Sequence, residues 1–183
     1  MGRAKLLLEV HGQPVIRRTV GALVGPAPMI EDIVVVTGAE DRSLQAALEG
    51  LPVRFASNPR PEDGQGSSIA VGVRALGPDA EAAFVVLGDQ PAVPSSVFSS
   101  LVQALERTGK PIVVPVYRGG VQGNPVLFGR GVFDELAELT GDAGGRSVVR
   151  LRADRVERVT VDIEMPADLD TPEDYTRLAG EAL

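Results

Sequence analysis

Two patterns of apolar residues follow each other along the chain. Short continuous runs rich in Val and Ile predict buried strands, at residues 33–36, 84–87, 112–116 and 159–161, with further short strands at 53–56 and 125–128. Apolar residues at helical spacing predict helices, at 14–24, 42–48, 67–76, 96–107, 132–139 and 172–182. Such alternation is typical of a largely parallel sheet with helices on both faces, so the pattern predicts an α/β fold.

The last predicted helix has a recognisable start. Thr171 is placed as its N-cap and Pro172 as its first helical residue. Asp174 lies three residues after the N-cap, where a capping box usually carries Glu or Gln. We therefore expect this helix to begin at Pro172.

Length and composition are those of one ordinary globular domain. The chain has 183 residues, of which 44% are hydrophobic and 23% charged, so we expect a single domain over residues 1–183. No apolar run is long enough to span a bilayer, and the run at residues 6–8 is ended by Glu9 before it reaches the length of a signal sequence. We expect a cytoplasmic protein that does not associate with a membrane.

Residue usage limits the chemistry. There is no cysteine and His11 is the single histidine, which excludes disulfides, thiolate metal sites and multi-histidine sites. A bound metal would have oxygen ligands, which favours Mg²⁺ or a similar hard cation. The net charge of -7 argues against nucleic acid as a partner but allows a small phosphate ligand in a local cationic pocket. His11 lies beside a Gly-Gln-Pro turn and is interpreted as structural.

Ligands of such sheets gather where strands end, which directs attention to the loop GDQP at 88–91. Asp89 follows a buried strand and is a natural Mg²⁺ ligand. A Gly/Pro turn whose aspartate caps the next helix explains the same four residues equally well. The position after a strand favours the functional interpretation.

The segment DLDTPED at 168–174 carries two acids spaced two apart. In an extended chain Asp168 and Asp170 point the same way, so both could face one cation or its water ligands. The segment also begins a helix, and helix starts attract acids through the dipole. On local grounds capping is the favoured explanation.

Two more loops and one lysine could contact a ligand. The polar segment at 57–68 leads into a helix at about Ser67, whose backbone N–H groups and hydroxyls suit a base edge or a phosphate. The loop at 141–146 places Arg146 among glycines, where it could meet an anion, although a helix stop also explains the glycines. Lys5 by itself is a solvated charge near the start of the chain.

Taken in order, five motifs resemble the molybdenum cofactor cytidylyltransferase family, within the wider group of sugar-nucleotide-type nucleotidyltransferases. They are MGRAKLLLEVHGQPVIRR at the start, NPRPEDGQGSSIAVGV, VVLGDQP, GNPVLF followed by LTGDAGGRSVV, and DLDTPEDY at the end. The resemblance covers nearly the whole chain. It implies a Rossmann-like, GT-A-like three-layer sandwich with a mostly parallel sheet.

The resemblance also implies the reaction: transfer of CMP from CTP to the terminal phosphate of a molybdopterin-type substrate, with Mg²⁺ as cofactor and pyrophosphate as product. Lys5 falls on the lysine that contacts the triphosphate, and Asp89 on the metal-binding aspartate, so both are the expected catalytic residues. Asp168 and Asp170 fall on the closing acidic motif, where a second contribution to the metal site is expected, from either acid. The nucleotide segment carries Asn58, Gly66 and Ser67, and Arg146 is the expected substrate contact. A transient contact with a molybdoenzyme is a further expectation.

Alternatives remain at this point. The tail with Asp168 and Asp170 resembles the cytidylyltransferase branch more than the guanylyltransferase branch, but GTP is the alternative nucleotide. The family's first strand and glycine-rich loop, which would precede Met1, have no counterpart here. We therefore expect Met1 to be an internal methionine of a longer, active enzyme; a non-catalytic, cofactor-binding relative is the alternative. A dinucleotide-binding domain is disfavoured because no GxGxxG follows a predicted strand.

Overall fold

The computed structural model describes residues 2–24, 30–38, 41–142, 144–151 and 153–180. The strands in these ranges are β1 (Glu9–Val10), β2 (Gln13–Pro14), β3 (Val34–Gly38), β4 (Arg54–Asn58), β5 (Ala82–Val85), β6 (Ile112–Tyr117), β7 (Val121–Gln122), β8 (Val126–Gly129) and β9 (Val156–Thr160). The α-helices are α1 (Val15–Gly21), α2 (Arg42–Ala47), α3 (Gln65–Arg74), α4 (Ser95–Thr108), α5 (Phe133–Ala137), α6 (Gly144–Leu151) and α7 (Pro172–Gly180). A 3₁₀ segment, Gly2–Leu7, precedes β1.

The larger sheet has the order β5-β8-β6-β7, and β9 pairs with the other edge of β6. β6 and β9 are parallel, and β8 is antiparallel to both β5 and β6, so β5, β6 and β9 run in one direction. β3 and β4 form a second parallel pair, whereas β7 is antiparallel to β6. The predicted α/β fold is confirmed. In the larger sheet the parallel strands β5, β6 and β9 outnumber the antiparallel strands β7 and β8, and β3 and β4 are parallel to each other, so most strands follow the predicted parallel arrangement.

Side chains alternate between the two faces of β6 and β8 and form two apolar clusters. On one face Ile112 and Phe128 pack against α3, α5 and α6. On the other face Val113 and Leu127 pack against α4, whose Leu101 is fully buried. Helices therefore cover both faces, which is the predicted three-layer arrangement.

Most predicted element boundaries differ from the structure by a few residues, and two of these differences bear on the candidate site. The run 84–87 leaves its strand after Val85, because pairing with β8 ends there. The glycine-rich loop at 141–146 continues into α6, so Arg146 lies in the first turn of a helix and not in a loop. The glycines that indicate a loop permit close packing instead: a Cβ on Gly145 would lie 3.1 Å from the Phe128 ring.

The described ends of the chain form a short hairpin and a capped helix, of which the helix start at Pro172 was predicted. His11 and Gly12, with φ of 51° and 76°, form the turn of the β1–β2 hairpin, the conformation that a type I′ turn requires. α7 begins at Pro172, and the Asp174 N–H donates to Thr171 Oγ1. The Thr171 hydroxyl and N–H donate to the Asp174 carboxylate, which lowers its pKa. The predicted end of this helix at 182 lies outside the described residues. None of the helices in the described ranges is long and apolar enough to cross a bilayer.

Candidate functional site

The loop after β5 and the acidic segment at 168–170 lie against each other. The backbone N–H of Leu169 donates to the Asp89 carbonyl at 3.3 Å. The Leu169 side chain is 3% exposed and packs in an apolar cluster with Val10, Val15 and Leu178. Moving a leucine side chain from water into the protein interior is favourable by about 2 kcal/mol. The buried Leu169 therefore anchors the segment. The flanking acids are thereby brought to the loop that carries Asp89.

Lys5 joins the two acidic stretches. Its Nζ lies 2.6 Å from Asp89 Oδ2 and 2.8 Å from Asp170 Oδ1. The side chains of Lys5 and Asp89 are each 18% exposed, whereas that of Asp170 is 67% exposed. Burial acts to lower the pKa of Lys5, but the hydrogen bonds and charges of Asp170 and Asp89 outweigh it and raise that pKa above its usual range. Lys5 is therefore a positive charge throughout the neutral pH range.

Helix α1 packs against the loop that carries Asp89, at Gly88. Thr19, a buried polar residue on the apolar face of α1, donates its hydroxyl to the Gly88 carbonyl at 2.8 Å. A Cβ on Gly88 would lie 3.0 Å from Ile16 Cδ1, so a glycine allows the loop to approach the helix closely. Thr19 was not singled out from the sequence. The feature that could have indicated it is a hydroxyl residue on the helix face formed by the apolar residues Ile16, Val20 and Leu23.

Gln90 controls the position of Asp168. It is 4% exposed, and its Nε2 donates to Asp168 Oδ1 at 2.5 Å. Its Oε1 has no hydrogen-bond partner among the described residues. Asp168 is thus held by a buried amide, whereas Asp170 is held by a lysine. Gln90 was noted from the sequence as part of the GDQP loop but was given no role. The feature that could have indicated one is a polar residue between the aspartate that follows the strand and a proline.

Replacing Gln90 with glutamate is expected to destabilise the protein by about 3 kcal/mol, because a second carboxylate is then buried beside Asp168 without a donor. The loss should shrink as the pH falls toward 4, where the new carboxyl takes up a proton. The measurement is urea unfolding of the variant and the wild type at several pH values.

Gln103→Glu is the matched control for this prediction. Gln103 is exposed on α4, so the same chemical change should alter the free energy of unfolding by less than about 0.5 kcal/mol. Equal stability of Gln90→Glu and wild type at pH 8 would contradict the role given to the Gln90–Asp168 contact.

The predicted nucleotide residues form a second group, where β4 ends and α3 begins. Asn58 is 2% exposed, and its Nδ2 donates to Ser67 Oγ at 2.8 Å and Ser68 Oγ at 3.0 Å. Its Oδ1 accepts from the Arg60 N–H at 3.0 Å. The Asn58 amide is therefore used within the protein, where it fixes the segment between β4 and α3. Ser68, which the sequence did not single out, completes this network.

The glycine-rich stretch before α6 packs on the N-terminus of α3. Gly66 N–H donates to the Gly141 carbonyl at 2.8 Å, and a Cβ on Gly66 would lie 2.8 Å from the Thr140 carbonyl oxygen. The Gln65 side chain lies against Gly144. Arg146 is exposed, two residues further along α6. The structure thus brings the loops at 57–68 and 141–146 together.

The carboxylates of Asp89 and Asp170 could supply two oxygen ligands to a divalent cation. Both converge on one positive charge, the Lys5 ammonium, within 3 Å. Among the described residues no three Asp, Glu or His side chains are grouped as a metal site. Two carboxylates with other ligands from phosphate and water are the usual environment of Mg²⁺ beside a nucleotide.

Comparison with known proteins agrees with the α/β fold of this chain. The model of the MobA-like NTP transferase domain family matches residues 1–159. No curated protein is similar enough to match this chain.

Solved structures are also similar. Rv0371C from Mycobacterium tuberculosis H37Rv, in a complex with manganese, is 29% identical, with a TM-score of 0.80 over 98% of this chain and 94% of that chain. A nucleotidyl transferase from Methanothermobacter thermautotrophicus is 26% identical, with a TM-score of 0.73 over 96% and 83% of the two chains. 4-Diphosphocytidyl-2C-methyl-D-erythritol synthase from Anaerococcus prevotii, at 17% identity and a TM-score of 0.77 over 93% and 86%, shares the fold.

Proposed function

Because the chain belongs to the family of MobA-like NTP transferase domains, we propose that it transfers CMP from CTP to the terminal phosphate of molybdopterin in the molybdenum cofactor. The observation that carries the proposal is the contact of Lys5 with both Asp89 and Asp170 where β5 ends. A cation and two carboxylates at a strand end are the groups that a triphosphate and its metal require. The product would pass to a molybdoenzyme through a transient contact.

The residues divide the work of the reaction. An oxygen of the acceptor phosphate attacks the α-phosphorus of CTP, and the bond from that phosphorus to the bridging oxygen breaks, so that pyrophosphate leaves with the electron pair. The acceptor phosphate is already ionised at neutral pH, and a chain with one histidine can therefore act without a general base. Lys5 would contact the leaving pyrophosphate and offset its growing charge.

Asp89 and Asp170 would hold a divalent cation, which we propose to be Mg²⁺. The ion would neutralise charge on the triphosphate. The manganese complex of the Mycobacterium tuberculosis protein supports a divalent metal in this group of proteins. The sequence assigned Asp168 to the same metal. Its Oδ1 accepts a hydrogen bond from Gln90, so Asp168 would act beside the metal and not as a direct ligand.

The segment between β4 and α3 would hold the nucleotide. Asn58 fixes this segment through Ser67, whose hydroxyl donates in turn to the Gly64 carbonyl. Gly66 has no side chain, so the backbone of Thr140 and Gly141 packs closely against the segment and holds it in place. Arg146 would contact the anionic acceptor, for which an exposed guanidinium is suited. These assignments place nucleotide and acceptor beside the start of α3.

A nucleotide panel tests the proposal. Purified protein and Mg²⁺ are incubated with CTP, GTP, ATP or UTP, with and without molybdenum cofactor, and released pyrophosphate is measured. The expected result is release with CTP and the cofactor together. Faster release with GTP would make the protein a guanylyltransferase, and no release with any nucleotide would favour a non-catalytic relative. Cofactor whose terminal phosphate has been removed is the control and should give no release.

A further inference from the structure

The ammonium group of Lys5 lies where a cation shared by Asp89 and Asp170 would lie. Its Nζ is within 3 Å of one carboxylate oxygen of each residue. A divalent cation held by the same oxygens would be a like charge a few ångströms from this ammonium. Such a contact is unfavourable beside Lys5 and Asp89, whose side chains are largely shielded from solvent. Lys5 and the metal therefore compete for the two carboxylates.

The lysine side chain is suited to leave. Lys5 lies on the 3₁₀ segment, and its neighbours Leu6 and Leu7 pack against the apolar cluster that contains Ile16 and Val20. The backbone is thus anchored, while the ammonium group lies at the end of a flexible chain of four methylene groups. A lysine ammonium is a point charge with three donors and no fixed fork geometry, so it exchanges one oxygen partner for another readily.

We propose that Lys5 is an exchangeable counter-ion of the carboxylate pair, which excludes divalent metal from the nucleotide-free protein until a triphosphate takes the ammonium. This inference rests on the proposed function, since it assumes that the site binds a triphosphate. Transfer of Lys5 from Asp89 and Asp170 to phosphate oxygens frees both carboxylates for the metal. Binding of nucleotide and binding of metal are then coupled, and each strengthens the other by the same factor.

The first test measures Mn²⁺ binding by electron paramagnetic resonance with no nucleotide present. Lys5→Met keeps the length of the side chain and removes the charge, and it should bind Mn²⁺ about tenfold more tightly than the wild type. Adding Asp89→Asn to this variant should abolish the gain, which assigns it to this site. Lys110→Met is the matched control, because Lys110 also forms an ion pair, with Glu157, and should leave Mn²⁺ affinity unchanged.

The second test measures CTP binding by calorimetry in excess chelator. Lys5→Met should weaken this metal-free binding about tenfold, whereas Asp170→Asn should strengthen it because Lys5 is then held by one carboxylate fewer. Lys5→Gln repeats both tests if the methionine variant fails to fold, which its circular dichroism would show.

The two tests fail separately. Unchanged or weaker Mn²⁺ binding by Lys5→Met overturns the inference, and a loss of CTP binding in the same variant would still support the proposed function. If Lys5→Met binds Mn²⁺ more tightly but binds CTP as the wild type does, Lys5 does not move to the triphosphate, and the inference is overturned. That result also counts against the proposed triphosphate site.

Discussion

Replacing Asp89 with asparagine is expected to slow pyrophosphate release about 10³-fold at saturating CTP, because several kcal/mol of charge stabilisation are lost. Asparagine keeps the shape of the side chain and removes its charge. Asp89 is mostly shielded from solvent and lies 2.6 Å from Lys5, so its charge acts at short range and with little screening. The measurement is the steady-state rate over a range of Mg²⁺ concentrations.

Two further variants sharpen this prediction. Asp170→Asn should cost less than Asp89→Asn, because the Asp170 side chain is 67% exposed and its charge is better screened. Asp79→Asn is the control, since Asp79 is exposed in the turn after α3, and it should leave the rate unchanged. A rate for Asp89→Asn within tenfold of the wild type would contradict the role of Asp89.

Truncating Leu169 to alanine is expected to destabilise the protein by about 3 kcal/mol and to weaken metal binding in the same variant. The stability loss follows from the cavity left among Val10, Val15 and Leu178. The loss of metal binding follows because Leu169 anchors the backbone between Asp168 and Asp170. Urea unfolding measures the first effect, and Mn²⁺ titration in the presence of CTP measures the second.

Leu136→Ala separates packing from positioning. Leu136 is fully buried in the cluster on the opposite side of the sheet from α4, so it should cost a similar free energy of unfolding. It should leave Mn²⁺ affinity unchanged because it contributes nothing to the segment at 168–170. If both variants weaken Mn²⁺ binding equally, Leu169 has no specific positioning role.

The fold could be predicted from the sequence because its central strands are continuous apolar runs. Residues of β6 and β8 are buried on both faces, so their sequences are apolar without alternation, and this signal does not depend on distant contacts. α6 was missed for the opposite reason. Its two initial glycines have a poor helix propensity, and the packing of Gly145 on Phe128 that favours them is a long-range contact.

The site could be predicted in part. Asp89 was a candidate because its position after a strand is a local feature. Local features alone favoured helix capping for Asp168 and Asp170, and the resemblance supplied their expected place in the metal site. That Lys5 contacts Asp170 is a matter of tertiary structure, since 165 residues separate the two side chains. The same holds for Thr19 and Gln90, whose partners Gly88 and Asp168 are set by the packing of α1 and of Leu169.

Transfer of label from CTP tests the central claim most directly. The protein is incubated with molybdenum cofactor, Mg²⁺ and CTP that is radiolabelled at the α-phosphate in one sample and at the γ-phosphate in another. We predict that the α label appears in the cofactor product, with one labelled phosphate incorporated for each pyrophosphate released. The γ label should appear in pyrophosphate. Appearance of the γ label in the cofactor, or of the α label as free CMP, would contradict nucleotidyl transfer at this site.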